Sequence, residues 1–256
     1  MDAAVADAAE GVRGEASVVL NSHENLLSGL ADRILGLAQA ALKQANMHAV
    51  FMDPGNEHWP LMAVLNAAHA GELFIKAAVA VEHPLLIFKD IHGLDDRRSI
   101  ELDFKTLLEK GKTYGFDQLP QVLWTTTGIR VPDQICYDRI QKLRNSIQHF
   151  CSPDDQDPSG AAIDFIYKII DPIIYERFGL CAIEFHEDHY VGYDYIVGAL
   201  LNRGVKFSLP ATFCIGEIDI EEEISYSGEG YKKWFASELS RLGKSHLYNY
   251  HNDSDT

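Results

Sequence analysis

A mainly α protein is the fold class this sequence predicts. Three observations carry it: apolar residues recur at the three-to-four spacing of a helix face through most of the first 180 positions, helix-opening signals punctuate the chain, and period-two alternation is confined to one stretch near the C-terminus. The expected architecture is a bundle of four helices over residues 21–180, with a disordered tail at 1–20 and a small mixed α/β appendage at 181–256 that ends in a disordered segment. With 256 residues, 46% of them hydrophobic and 23% charged, the chain can bury a full core.

Residues 1–20 are rich in Ala, Asp and Gly and carry no apolar period, hence the tail. Asn21 with Glu24 three positions on has the form of a capping box. It opens a first helix with Leu27, Leu30, Ile34, Leu37 and Ala41 on one face, running to about Asn46. Asp53-Pro54-Gly55-Asn56 is turn chemistry, and Pro60 suits the first turn of a second helix over residues 60–82. Leu61, Leu65, Ala68, Ile75 and Val79 form its seam, and Glu72 falls on that seam between His69 and Lys76. A carboxylate on an apolar stripe is costly unless paired. Two readings follow: an intrahelical pair with Lys76 at the edge of the core, or a Glu72 or His69 that reaches another helix and orients a functional side chain there.

After His83-Pro84 the segment Leu85–Phe88 lies in a linker, followed by a short helix near Asp103 to Lys110. Pro132 and Asp133 open the third helix, residues 134–150, whose buried side is Cys136, Ile140, Leu143 and Ile147 with Arg144 at its border. Asp157-Pro158 starts the fourth, along Ile163, Ile166, Ile170 and Ile173, interrupted at Pro172. Beyond residue 180, a helix over 190–202 is closed by Gly204. Within Phe207 to Tyr226, Ile218, Ile220, Ile224 and Tyr226 alternate with Asp219, Glu221, Glu223 and Ser225, a strand pattern. A final helix over 231–242 ends at Gly243, and the polar tail begins at Tyr250.

The third helix closes on Lys142-Leu143-Arg144-Asn145-Ser146-Ile147-Gln148-His149-Phe150. An Arg followed directly by Asn, with a His after a gap of four residues, resembles the signature of the HEPN superfamily. The four-helix layout, with this motif near the end of the third helix, extends the resemblance over residues 21–180. Catalytic members of that superfamily are helical, metal-independent endoribonucleases, so the resemblance implies an endoribonuclease that cleaves RNA by attack of the ribose 2′-hydroxyl, in a toxin, stress or phage-defence role. The two side chains suit the chemistry: His149 moves protons near neutral pH, and the Arg144 guanidinium is a fixed cation for developing phosphorane charge. Asn145, Glu72 and His69 would support them, and Lys142 and Arg139 would hold substrate phosphates. Arg144 and His149 are five residues apart, about 140° around an ideal helix. Either the helix unwinds near residues 150–153, or a second copy completes the site. The resemblance implies the latter, a homodimer with a composite active site, and admits a regulatory protein partner. In many HEPN toxins a Tyr two residues after the motif His is nucleotidylated by a partner antitoxin; here that position is Cys151, so this control does not carry over.

Other classes are weighed against this one. A net charge of −16 opposes general RNA binding, and it favours the alternative of a non-catalytic HEPN-like module that binds RNA, a nucleotide or a partner protein. A metal-dependent hydrolase built on His186 and His189 is the weakest reading, since that spacing lacks a third distant ligand. No cofactor or metal is therefore expected. Cys136, Cys151, Cys181 and Cys214 form no Cys-x-x-Cys pair and are expected as reduced thiols. With no uninterrupted apolar run near the roughly 18 to 20 residues of a membrane span, and no basic leader, the expected location is the cytoplasm.

Overall fold

In a computed structural model of the protein, the described residues are 27, 29–51, 53–89, 107, 109–149, 157–186, 192–248 and 250. They are mainly helical, and among them no strand forms beyond a single antiparallel bridge between Phe88 and Thr113. They divide into two compact units, one drawn from Met1–Leu35 and Ile75–Gly128, the other from Gly36–Phe74 and Ile129–Thr256.

Helix α1 spans Leu30–Val50, four residues beyond the expected end, and the turn at Asp53 to Asn56 follows it. The Asn21–Glu24 capping box lies outside the described residues. The buried stripe of α1 is Leu30, Ile34, Ala38, Leu42, Ala45 and Ala49. Leu37, expected on that stripe, is 62% exposed. The face advances by four residues from Ile34 to Ala38, and a step of three would have rotated it the other way. Helix α2 spans Trp59–Glu82, with Pro60 in its first turn. Small residues sink it on more than one side: Ala63, Ala67, Ala70, Ala77 and Ala78 are all fully buried. Among the described residues α2 alone is long and apolar enough, by length and composition, to cross a membrane, although 61% of its most apolar window is buried in the protein. Counting uninterrupted apolar runs overlooks it because Asn66, His69, Glu72 and Lys76 break the run.

In the first unit, the end of α2 passes into a 3₁₀ turn at Pro84–Ile87 whose His83 side chain caps Leu85 N–H at 3.2 Å. Backbone bonds from Lys89 N–H to Lys112 O (2.7 Å) and from Tyr114 N–H to Ile87 O (3.1 Å) flank the Phe88–Thr113 bridge. Lys76, only 9% exposed, donates to Thr113 Oγ1 at 3.1 Å. Of the helix expected near residues 103–110, Leu107, Glu109 and Lys110 are helical and the rest lies outside the described residues. A helix not anticipated from sequence, α3 at Leu119–Thr127, begins with Pro120 and ends on Gly128 at φ 78°.

In the second unit, α4 spans Gln134–His149, and α5 spans Pro158–Phe165 behind an Asp157 cap that accepts Gly160 N–H at 2.8 Å. The interruption associated with Pro172 sits one turn earlier than expected. Ile166–Ile170 form a π-turn in which Asp171 N–H reaches back to Ile166 O, and α6 then runs over Asp171–Phe178. Pro172 lacks the N–H that would bond Lys168 O, and its ring would strike that carbonyl in a regular α-helix, so the widened turn accommodates it. The C-terminal helices are α7 at Asp194–Arg203, closed by Gly204 at φ 63°, α8 at Ile220–Ile224, and α9 at Glu229–Arg241 with Gly243 at φ 70° beyond it.

The strand expected within Phe207 to Tyr226 does not form, so the mixed α/β character of the C-terminal region is not observed. Asp219 instead caps α8, its Oδ1 accepting Glu221 N–H (2.9 Å) and Glu222 N–H (3.3 Å). Ile220 and Ile224 are then one helical turn apart and both buried. The same residues satisfy period two and period four, and three glutamates in the first turn favour the helix through its dipole. Phe207, Phe213, Trp234, Phe235 and Tyr248 pack there with ring centroids 5.9 to 6.5 Å apart.

A candidate Arg–Glu site on the motif helix

Helix α4 places its chemistry on two opposite sides. Tyr137, Ile140 and Leu143 are buried, and Arg144 lies on the same side, half-buried. Lys142, Asn145 and His149 are exposed and fall within about 60° of one another around the axis. Because α4 is helical through His149, Arg144 and His149 within one chain point about 140° apart. Residues 150–153, where the helix is expected to unwind if one chain completes the site, lie outside the described residues.

Arg144 meets Glu72. Its Nη2 is 3.6 Å from Glu72 Oε2, with 25% of the Arg side chain and 18% of the Glu side chain exposed. That separation is an ion pair, too long for a charge-assisted hydrogen bond. A carboxylate on the seam of α2 thus has a cationic partner on α4. His69, one turn before Glu72, is exposed.

The basic cluster is weaker than its sequence suggests. Arg139 Nη1 lies 3.8 Å from Asp164 Oδ2, and Lys168 Nζ lies 2.8 Å from Asp164 Oδ1. Two of the three cations expected near substrate, Arg144 beside Glu72 and Arg139 beside Asp164, therefore stand beside carboxylates, and Lys142 is exposed. Asp164 was not anticipated; its one signal in the sequence is the four-residue spacing to Lys168. Cys136 is half-buried on α4, and burial, then the charges of Asp164 and Asp133, push its pKa up to about 11. That shift favours the thiol over the thiolate at neutral pH. Cys181 and Cys214 are free thiols as well, and Cys151 lies outside the described residues.

Elsewhere in the second unit is a buried polar network that sequence reasoning missed. Asn46 Nδ2 donates to Ala182 O (3.0 Å) and Phe185 O (2.7 Å), and Asn46 Oδ1 accepts from the Tyr167 hydroxyl at 3.0 Å. Asp171, 1% exposed, accepts the N–H groups of Ala182 (2.7 Å) and Ser208 (2.6 Å). Burial raises the Asp171 pKa, and the two N–H bonds oppose that rise. The Tyr167 phenol is held well above its ordinary value by burial and by the charge of Asp171.

Among the described residues no three His, Cys, Asp or Glu side chains converge as a metal-ligand set. His186 stacks edge-on with Tyr193, centroids 6.4 Å apart, while His189 lies outside the described residues. Comparison of the chain with protein-family models, with curated proteins and with solved structures yields no match in any of the three.

Proposed function

We propose that this chain is a HEPN-type endoribonuclease, built on a helical bundle, that cuts RNA without a metal and does so as a homodimer. The observation that supports this reading most is an Arg held by a half-buried carboxylate on the same unbroken helix that presents an exposed His in its last turn. In the reaction, the ribose 2′-oxygen attacks the adjacent phosphorus as its proton leaves to a general base, and the 5′-oxygen of the next nucleotide departs with a proton from a general acid. The products are a 2′,3′-cyclic phosphate and a 5′-hydroxyl. His149 of one copy fills one of the proton-transfer roles. Arg144 of the other copy stabilises the charge of the phosphorane, with the Glu72 carboxylate holding the guanidinium near α2 through their ion pair. Lys142 and Asn145 lie on the His149 face, where they meet substrate. A toxin, stress or defence role would follow from such an activity, with a regulatory protein as restraint.

The test is cleavage of a total tRNA and mRNA pool in EDTA by the wild type and by His149→Ala, with product ends mapped. Cleavage with cyclic-phosphate ends is expected from the wild type and a loss of at least about 10²-fold from the variant. Equal cleavage by both proteins ends the reading.

One observation favours a second reading, a non-catalytic helical module that binds RNA, a nucleotide or a protein. Arg144 sits on the buried side of α4 beside Glu72, and Arg139 sits beside Asp164, so a single copy offers phosphate little uncompensated positive charge. Binding without cleavage, by a folded dimer, would select it.

A further inference from the structure

Gly71 stands immediately before Glu72 on α2. A Cβ built on it would lie 2.6 Å from Cε1 and 2.7 Å from Cζ of Phe165, and 3.6 Å from Cδ1 of Ile170. Distances below 3.0 Å are ones that real Cβ atoms essentially never show, so α2 approaches the end of α5 as only glycine permits. The Phe165 ring has little room to yield. It is fully buried, and it packs against the buried Tyr137 ring of α4, centroids 5.7 Å apart and planes tilted by 56°. Tyr137 and Arg144 are seven residues apart, two turns or about 10.5 Å along nearly the same face of α4. Two links therefore tie α2 to α4: Gly71 through Phe165 to Tyr137, and Glu72 to Arg144. Glycine inside a helix is less favourable than alanine, so a glycine here works against local propensity and calls for a packing reason.

We propose that Gly71 is a positioning residue for Arg144: its missing side chain sets the distance between α2 and α4 at which Glu72 reaches the guanidinium. The role of that guanidinium in catalysis rests on the nuclease reading, but the positioning is measurable without RNA. The experiment is a double-mutant cycle on stability, with Glu72→Gln, Arg144→Gln and both together, in the native background, in Gly71→Ala, and in Gly71→Ala with Phe165→Leu. A native coupling of roughly five-fold in the unfolding equilibrium constant is expected. It should fall to near unity in Gly71→Ala, which should also be less stable than native although helix propensity alone predicts the reverse. Shortening Phe165 to Leu should restore the coupling. Equal coupling in the native and Gly71→Ala backgrounds, or none in the native protein, overturns the proposal. Should Gly71→Ala fail to fold, the double variant decides: coupling there supports the role and its absence overturns it. RNA cleavage by the variants that retain Arg144 should fall in kcat in Gly71→Ala and recover with Phe165→Leu, with little change in KM. No cleavage in any background, with the coupling pattern as expected, overturns the nuclease reading and leaves the positioning role standing.

Discussion

Arg144 and Glu72 show how one residue out of pattern can announce a contact. Glu72 interrupts an apolar seam, and its carboxylate stands 3.6 Å from a guanidinium on another helix. Glu72→Gln keeps the shape and removes the charge. It should cost about 1 kcal/mol of stability, a modest figure because both side chains retain some exposure to solvent, and should lower kcat about ten-fold as the guanidinium loses its alignment. Faster cleavage by this variant would mean that Glu72 restrains Arg144 and does not serve it. Asp171 makes a second prediction at this scale. Its pKa in the folded protein lies above the unfolded value because burial penalises the charge. The native state thus binds its proton first as pH falls, so the contribution of Asp171 is favourable below the unfolded pKa and is lost as pH rises through the folded one. Urea melts between about pH 4 and about pH 7 should show wild type gaining on Asp171→Asn as the pH is lowered. A difference independent of pH would contradict the assignment.

The π-turn at Ile166–Ile170 is the element whose register matters most. It adds one residue to a helix that Pro172 cannot continue regularly, and it turns Asp171 inward onto Ala182 and Ser208. Deleting the exposed Lys168 would restore the α register and rotate Asp171 about 100° away from its donors. Two hydrogen bonds to a buried carboxylate would be lost, and thermal or urea denaturation should record a loss of at least about 3 kcal/mol. A variant as stable as wild type would show that the widened turn is incidental. Most helices were legible in sequence at this scale, because Pro60, Asp157-Pro158, Gly204 and Gly243 act locally on the backbone. The strand expected near Ile218 to Tyr226 was misread because Ile220 and Ile224 fit a helix turn as well as an alternation, and the Asp219 cap decides between them. Helix α3 was overlooked although Pro120 and Gly128 mark both its ends.

For the whole molecule the central consequence is that Arg144 and His149 of one chain face different directions. In the proposed dimer each site takes Arg144 from one copy and His149 from the other. Arg144→Gln and His149→Ala should each be inactive alone. Mixed and exchanged, half the dimers are heterodimers and each carries one intact site, so about one-quarter of wild-type cleavage should return. No recovery, from subunits shown to exchange, would place both groups in a single chain or remove one of them from the reaction. The net charge of −16 acts at this scale too: on the proposed reading RNA would have to be met by a local patch, and with few phosphate contacts its binding should fall only modestly with salt.

The sequence by itself determined the helical class, most helix ends, and the two residues on which the chemistry is proposed to rest, because periodicity, caps and side-chain type are properties of short segments. Only the tertiary structure decided that Glu72 meets Arg144, that Arg139 stands beside Asp164, that Leu37 faces out, and that Gly71 admits Phe165. Those facts depend on which faces of distant segments come into contact, and helical spacing leaves the rotation and approach of one helix against another open until the core is packed.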